Sequence, residues 1–346
     1  MVSGSWPPER CGVGDYSETL SARLEQRGLE VARIVETDWS WSAREGIARA
    51  IERTSPDVVH VQYPTLGYRN SRVPAWLTMR LRSLPRVTTL HEYRALLRPT
   101  RRLGILPRGV SFWPFLLSDA LVFSGEQERD AFASSYFWVR RRSHVIAIGS
   151  NIPAARAPLP RQLQLAYFGQ ICPNRGVEEF VAAAEQMKAA GSAIEPVLIG
   201  SVPHAAQEYG REKIARLREL GVEVVLNAEA EQVAQRLAIA EFAYLPFPDG
   251  ASPKRSSLLA ALVNGTIALT PHGAEAPEWL RACTVAAPTP DEAIRRASEL
   301  LAQPAERKRL RAAALREAAR CDWGEIARAY AEIYAQVVAK RGRLKE

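Results

Sequence analysis

Residues 242–271 read FAYLPFPDGASPKRSSLLAALVNGTIALTP. The apolar run over 242–247 predicts a buried strand, Asp249, Gly250 and Pro253 a loop, and 266–270 a second strand. Between them lies a short helix starting near Ser256 or Ser257, either of which suits an N-cap, and stopping at Gly265, which suits the left-handed turn after a helix. Lys254 and Arg255 stand immediately before its first turn. A helix N-terminus leaves amide N–H groups unpaired and carries partial positive charge, and two adjacent cations strengthen its preference for an anion. The spacing therefore predicts an anion site. The alternative is a plain β-loop-α-β connection with solvated cations.

The same alternation runs outward in both directions. Apolar runs over 57–62, 87–91, 120–124 and 144–149 are bounded by turns, as strands buried on both faces are. They are preceded by a short strand over 2–5, a loop holding Gly12, Val13 and Gly14, a helix from Asp15 to about Arg27 with Asp15 and Glu18 as a capping box, a strand over 31–35 and a helix over 43–53. Residues 151–162 (NIPAARAPLPRQ) carry three prolines and no periodicity, and read as a linker. Strands over 163–169, 196–200 and 222–226 then alternate with helices over 177–190, 206–220 and 231–240. After Ala286 the chain reads as helical, ending in 323–338 with Ile326, Tyr330, Ile333, Tyr334 and Val337 on one face. This is α/β chemistry with two doubly wound parallel sheets. The expected domains are 1–154 and 155–322, with 323–346 added to the first.

A chain of 346 residues exceeds one compact core, and 47% hydrophobic with 24% charged residues is ordinary globular composition. No apolar run reaches the roughly 18 residues of a membrane span, and MVSGSWPPERCG lacks an apolar signal core, so the expected location is the cytoplasm. Cys11, Cys172, Cys283 and Cys321 lack metal-ligand spacing and read as free thiols. The net charge of +8 is uneven. Up to residue 155 there are 21 Arg, no Lys and 15 acidic residues, a net of +6. That favours phosphorylated, acidic or membrane-surface partners. Nucleic acid is not expected, because no recognised binding motif accompanies the charge. Residues 96–117 and 136–142 mix Arg with Trp, Phe and Leu. Two readings stand for them: a peripheral contact with anionic lipid at the inner face of the membrane, or a mobile acceptor loop over a core helix.

The segments PPERCGVGDYSETLSARLEQRG, DVVHVQYPT, TLHEY, GSNIP, YFGQICPNRGVEEF and FPDGASPKRSSLLAALVNG are similar, in order and spacing, to retaining GT-B glycosyltransferases of family 4. The resemblance covers nearly the whole chain. It implies two Rossmann-like domains facing across a cleft, a last helix crossing back to the first domain, and a nucleotide-sugar donor in the second domain. It also implies a glycan, lipid-linked or small-molecule acceptor on the first domain, retention of configuration, and no metal or other cofactor.

By the resemblance, Gly12, Val13 and Gly14 face the donor, Gly169 lies at the strand end beneath it, and Arg175 grips its phosphates. His91 hydrogen-bonds the transferred sugar; the alternative for a lone His is a satisfied structural one. His60, Tyr63 and Glu92 fall on the acceptor side. Where many members carry a basic residue after the strand-end glycine, this chain has Gln170. Where they carry two glutamates separated by seven residues, it has Ser252 and Ala260. A subset of the family shares the basic-basic-small-Ser run, so Lys254, Arg255, Ser256 and Ser257 are expected to hold the pyrophosphate. With His91, Arg175 and Lys254 in catalytic roles, transfer proceeds by stabilising the departing diphosphate. Two other classes compete: a non-catalytic nucleotide-sugar binder of the same fold, and a nicotinamide-dependent oxidoreductase. The first β-α loop lacks the full Gly-x-Gly-x-x-Gly pattern of the latter.

Overall fold

The computed structural model describes residues 1–9, 11–91, 113–157 and 159–342. The chain divides into two compact units, Met1–Ile148 with Trp323–Glu346, and Gly149–Asp322.

In the first unit, strands β1 (Val59–Tyr63), β2 (Arg86–Leu90), β3 (Ala120–Phe123) and β4 (Ser143–Val145) pair in that order, all parallel. Every residue of β1, β2 and β3 is buried, which is what helices on both faces of a parallel sheet require. The strands expected over 2–5 and 31–35 shrink to single bridges, with Val2 paired to Ile34 on one side and Val61 on the other. Pro7 and Pro8 lack the amides that would extend the first, and the second lies beyond it at the margin of the sheet with Val35 exposed. Counting those bridges, the chain reverses its direction of travel across the sheet between Val2 and β1. The first helix is Gly12–Glu25, three residues earlier than expected. Asp15 is therefore not a cap: its amide donates to the Cys11 carbonyl inside the first turn. Tyr16, Leu20 and Leu24 of this helix pack with Ile326, Tyr330, Ile333 and Val337 of the last helix, Trp323–Gly342. Arg341, at the end of that helix, binds Asp119 at 3.0 and 3.1 Å, and Asp119 also pairs with buried Arg86.

In the second unit, β5 (Gln162–Gln170), β6 (Glu195–Ser201), β7 (Glu223–Leu226), β8 (Ala240–Tyr244), β9 (Ile267–Thr270) and β10 (Val285–Ala286) form a parallel sheet ordered β10-β9-β8-β5-β6-β7. The chain runs from β5 out to β7, then returns past β5 to β8. That is the doubly wound dinucleotide-fold order, with its switch point between β5 and β8. Strand β8 ends at Tyr244, short of the expected Phe247, because Pro246 cannot donate to the ladder. The segment read as a linker is tied into this unit: the Ala155 amide donates to Asn264 Oδ1 at 2.9 Å, and Asn264 Nδ2 donates to the Pro153 carbonyl at 3.1 Å. Arg161 spreads its guanidinium over the carbonyls of Leu237, Ala240, Asn264 and Gly265, satisfying helix and strand ends that burial would otherwise leave unpaired. Burial lowers its pKa to about 10.

The docking of the last helix is a large apolar contribution to the first unit. Ile326→Ala removes a side chain only 2% exposed, and should cost about 2–4 kcal/mol in denaturant unfolding. Glu332→Ala on the exposed face of the same helix should stay within about 0.5 kcal/mol.

Candidate functional site

A cavity of about 500 Å³ opens at the carboxyl ends of β5, β6 and β7, beside the switch point of the second unit. Doubly wound sheets take ligands there, because the strand ends and helix starts converge. Its floor is formed where β5 and β6 pair Gly169 with Gly200. A Cβ on Gly200 would lie 2.3 Å from the Gly169 carbonyl oxygen. The glycine pair thus leaves the floor without side chains. One wall is the loop 170–176. Tyr167 Oη donates to the carbonyls of Gln170 and Arg175 at 3.2 and 3.0 Å, which shapes the loop and leaves the Arg175 side chain exposed at the cavity. Gly176 turns the chain into helix Val177–Ala189 at φ +83°, where a Cβ would meet the Pro246 carbonyl oxygen at 2.3 Å.

The facing wall is Lys254, Arg255, Ser256 and Ser257. Helix Ser256–Val263 begins as expected, but its N-cap is Arg255 and no side chain caps it. Neither serine acts as the cap, because the first intrahelical bond runs from the Leu259 amide to the Arg255 carbonyl. The amides of Ser256 and Ser257 thus precede the intrahelical ladder, at the cavity wall. The Arg255 guanidinium lies 4.9 Å over the Phe247 ring and 3.4 Å from Asp249 Oδ2. Ser252 and Ala260, where the resemblance puts glutamates in other members, are both buried and offer no carboxylate. The structure therefore gathers Gly169, Arg175, Lys254, Arg255, Ser256 and Ser257 around one cavity. Sequence reasoning missed Asn227, which lines it in a left-handed conformation (φ 52°) just past β7. Its signal is a short polar residue directly after an apolar strand run.

The remaining expected residues belong to the first unit. Gly12, Val13 and Gly14 are not a loop but the first turn of helix Gly12–Glu25. Open space surrounds a Cβ built on Gly12, whereas Gly14 abuts the Ser5 backbone at 3.0 Å. His91 follows β2 at the carboxyl edge. It is buried, its Nε2 is 2.7 Å from Gln62 Oε1, and its ring meets Tyr16 edge-on at 4.8 Å. Tyr63 ends β1 and stacks on Tyr68. His60 does not lie on an acceptor surface. It sits inside the sheet–helix core, Nδ1 2.6 Å from Tyr334 Oη and Nε2 2.8 Å from Thr89 Oγ1, because strand alternation turns it toward the last helix. Glu92 lies outside the described residues. Among the described residues, no group of three or more His, Cys, Asp or Glu could hold a metal ion, and no helix is long and apolar enough to cross a membrane.

Two Rossmann-type units, with the last helix returning to the first, define the glycosyltransferase GT-B fold. Solved structures of that class align over nearly the full chain. A glycosyltransferase from Rickettsia africae superposes with a TM-score of 0.71 at 13% identity, covering 97% of this chain and 98% of that one. Anabaena HepE in complex with UDP and glucose gives 0.65 at 14% identity, covering 97% and 98%. Sucrose-phosphate synthase from Thermosynechococcus elongatus gives 0.65 at 16%, covering 95% and 94%. No protein-family model matches the chain, and neither does any curated protein sequence.

Gln62 stands between two imidazoles, its oxygen toward His91 and its nitrogen 3.3 Å from His60 Nε2. One Nε2 must then carry a proton while the other accepts one. Burial holds the His60 pKa well below its ordinary value, so His60 is neutral when folded. An unfolded His takes its proton near pH 6.5, so below that pH the unfolded state binds more protons and stability falls with acidification. Between pH 6.5 and 5 this one group should therefore lower stability progressively. Urea titrations should show a shallower acid slope for His60→Asn than for the parent chain. Equal slopes would assign the effect to other groups.

Proposed function

We propose that the protein transfers a sugar from a nucleotide-sugar donor to an acceptor, with retention of configuration and without a metal. The observation that carries this reading is the cavity at the switch point of the second unit, where Arg175, Lys254, Arg255 and the leading amides of helix Ser256–Val263 line one space above a glycine floor. Its volume of about 500 Å³ is that of a small-molecule site. Arg binds phosphate oxygens through a fixed fork and Lys as a point charge. Breaking the sugar–phosphate bond develops negative charge on the diphosphate and cationic character on the sugar. Fixed donors aimed at that anion stabilise the transition state more than the ground state, on the order of 3 kcal/mol each in a water-poor site. Departing phosphate then takes the acceptor proton. By the same resemblance, Gly12, Val13 and Gly14 approach the donor, and His91, oriented by Gln62, hydrogen-bonds the transferred sugar. The UDP and glucose bound to HepE agree with a donor of this class.

A second reading has a specific observation behind it. Ser252 and Ala260 supply no carboxylate, so the cavity also suits a non-catalytic nucleotide-sugar binder. Donor binding without transfer or hydrolysis across many acceptors would select it.

The proposed protein is cytoplasmic, with peripheral contact at an anionic membrane. Support comes from exposed Phe137 and Trp138, beside Arg140 and Arg141 on the 3-10 turn Phe137–Arg142. Residues 96–112 of the other Arg-aromatic stretch lie outside the described residues. Co-sedimentation with anionic vesicles at low salt should fall at least several-fold in Phe137→Ser/Trp138→Ser. Unchanged pelleting would end the membrane reading.

A thermal-shift panel of UDP-, GDP-, ADP- and dTDP-sugars should show one stabilising donor. With it, Lys254→Ala, Arg255→Ala and Arg175→Ala should each lose about tenfold or more in kcat/KM, since a charge-assisted phosphate contact is worth about 1.5–3 kcal/mol. Folding should change by no more than about 0.5 kcal/mol. The Arg175→Ala/Lys254→Ala pair should be less than additive, and Ser252→Ala should do little. Normal donor affinity and turnover in all three cation variants would place the phosphates elsewhere.

A further inference from the structure

A second cavity, about 670 Å³, lies wholly within the first unit. It opens between residues 37–41, which follow the bridge at Ile34, and residues 67–72, which follow β1. Both segments leave the carboxyl edge of the parallel sheet, on either side of its reversal at Val2, where doubly wound sheets take ligands. The residues that line it differ in kind from those of the phosphate-suited cavity. Trp41 is 52% exposed, yet its ring is fixed, with the Arg44 guanidinium 4.6 Å over it and Trp76 edge-on at 6.0 Å. An exposed indole held still is a platform for the apolar C–H face of a sugar ring, and its pre-ordering reduces the entropy lost on binding. Asp38 is held by the Ser40 amide and hydroxyl at 2.8 and 3.1 Å, a positioned acceptor for sugar hydroxyls.

The charge points to the rest of the ligand. Arg69 and Arg72 line the same cavity and are exposed, and among the described residues neither has a carboxylate partner. Arg69 and Asn70 are successive left-handed residues, at φ 46° and 65°. That conformation is costly outside glycine. Bonds from the Arg69 amide to the Leu66 carbonyl and from the Ser71 amide to the Tyr68 carbonyl hold it. Among the described residues, two guanidinium groups without a carboxylate partner stand against one carboxylate and leave the wall cationic, and such forks recognise planar or tetrahedral oxyanions.

We propose that this cavity binds a saccharide carrying an anionic group, and that this saccharide is the acceptor. The second clause rests on the transferase reading above; the first does not. Trp41 stacks on a sugar ring, Asp38 accepts from its hydroxyls, and Arg69 with Arg72 hold the anion. The anion comes from a uronate or from a sugar phosphate.

The test uses the full chain without donor, with four probes: glucuronosyl-glucose, glucose 6-phosphate, cellobiose and inorganic phosphate. Calorimetry and saturation-transfer NMR should show one of the two charged saccharides binding at least tenfold tighter than both cellobiose and phosphate, which identifies the anion source. Arg69→Gln/Arg72→Gln should weaken that saccharide at least tenfold, and Trp41→Ala should remove saturation transfer to its ring protons. All three positions are exposed, so the thermal midpoint should not move, and Lys254→Ala should bind the saccharide normally. Equal binding of cellobiose, binding of phosphate alone, no binding of any probe, or an unaffected double variant would overturn the proposal. Charged-saccharide binding without transfer from any donor would keep the site and defeat the transferase reading. Transfer that ignores the Arg69/Arg72 variant would do the reverse.

Discussion

Strand β5 is hydrogen-bonded on both edges, to β6 and to β8, and the chain leaves it in opposite directions. Everything at the principal cavity follows from that. Parallel pairing aligns the carboxyl ends of all six strands, so their outgoing loops gather on one side. The reversal at β5 parts the loops that go one way from those that go the other, and the opening between them is the cavity. Close backbone approach then decides what can occupy it. Gly169 and Gly200 bring two strand ends together with no side chain above them, so a ligand there meets backbone below and cations at the sides. A Cβ at Gly200 would strike the Gly169 carbonyl oxygen at 2.3 Å, so these strand ends could not keep their close approach.

The first unit shows a different balance. Its strands are buried on both faces, yet β1 and β2 carry His60, Gln62, Thr88 and Thr89. Polar groups there are tolerable only when hydrogen-bonded. Their partners are Tyr330 and Tyr334 from the last helix, Ser118, and, for Gln62, His91; Tyr16 of the first helix in turn donates to Tyr330. These bonds need correct alignment as well as burial, so the last helix can seat in one register only. The same chain ends at His91. The proton position at a candidate site residue is therefore linked, bond by bond, to the docking of a helix more than 200 residues away in sequence. Asp119 reinforces the seat from the far end, accepting from Arg86 and Arg341 at once.

Much of this was legible in the residues. Short apolar runs bounded by turns place the ends of β1 to β9 within four residues of those observed, and the Lys-Arg-Ser-Ser run falls at a helix start as expected. What escaped has physical reasons. Gly12 and Gly14 are poor helix formers, so propensity starts the helix at Asp15, yet Tyr16, Leu20 and Leu24 packing on the last helix overrides propensity in the preceding turn. His60 read as a surface candidate because period-two alternation does not say which face holds the C-terminal helix. The Trp41–Arg72 cavity had no local signal at all. Its walls lie about thirty residues apart and meet only because residue 34, residue 2 and β1 are neighbours in the sheet.

Arg255 is held in a way that bears on the proposed phosphate site, which has no carboxylate at Ser252 or Ala260. Its ion pair with Asp249 is 3.4 Å long and the carboxylate is almost fully exposed, so screening leaves that contact worth between about 0 and 1 kcal/mol. The Phe247 ring beneath the guanidinium costs the arginine no hydrogen-bond donor and fixes its plane. The side chain is therefore positioned by an aromatic face and only loosely held by a competing acid. A phosphate bound there, as proposed, would displace Asp249 at small cost and find the fork already oriented. Orientation set by an aromatic ring, rather than by a strong salt bridge, lets a cation be fixed and available at once.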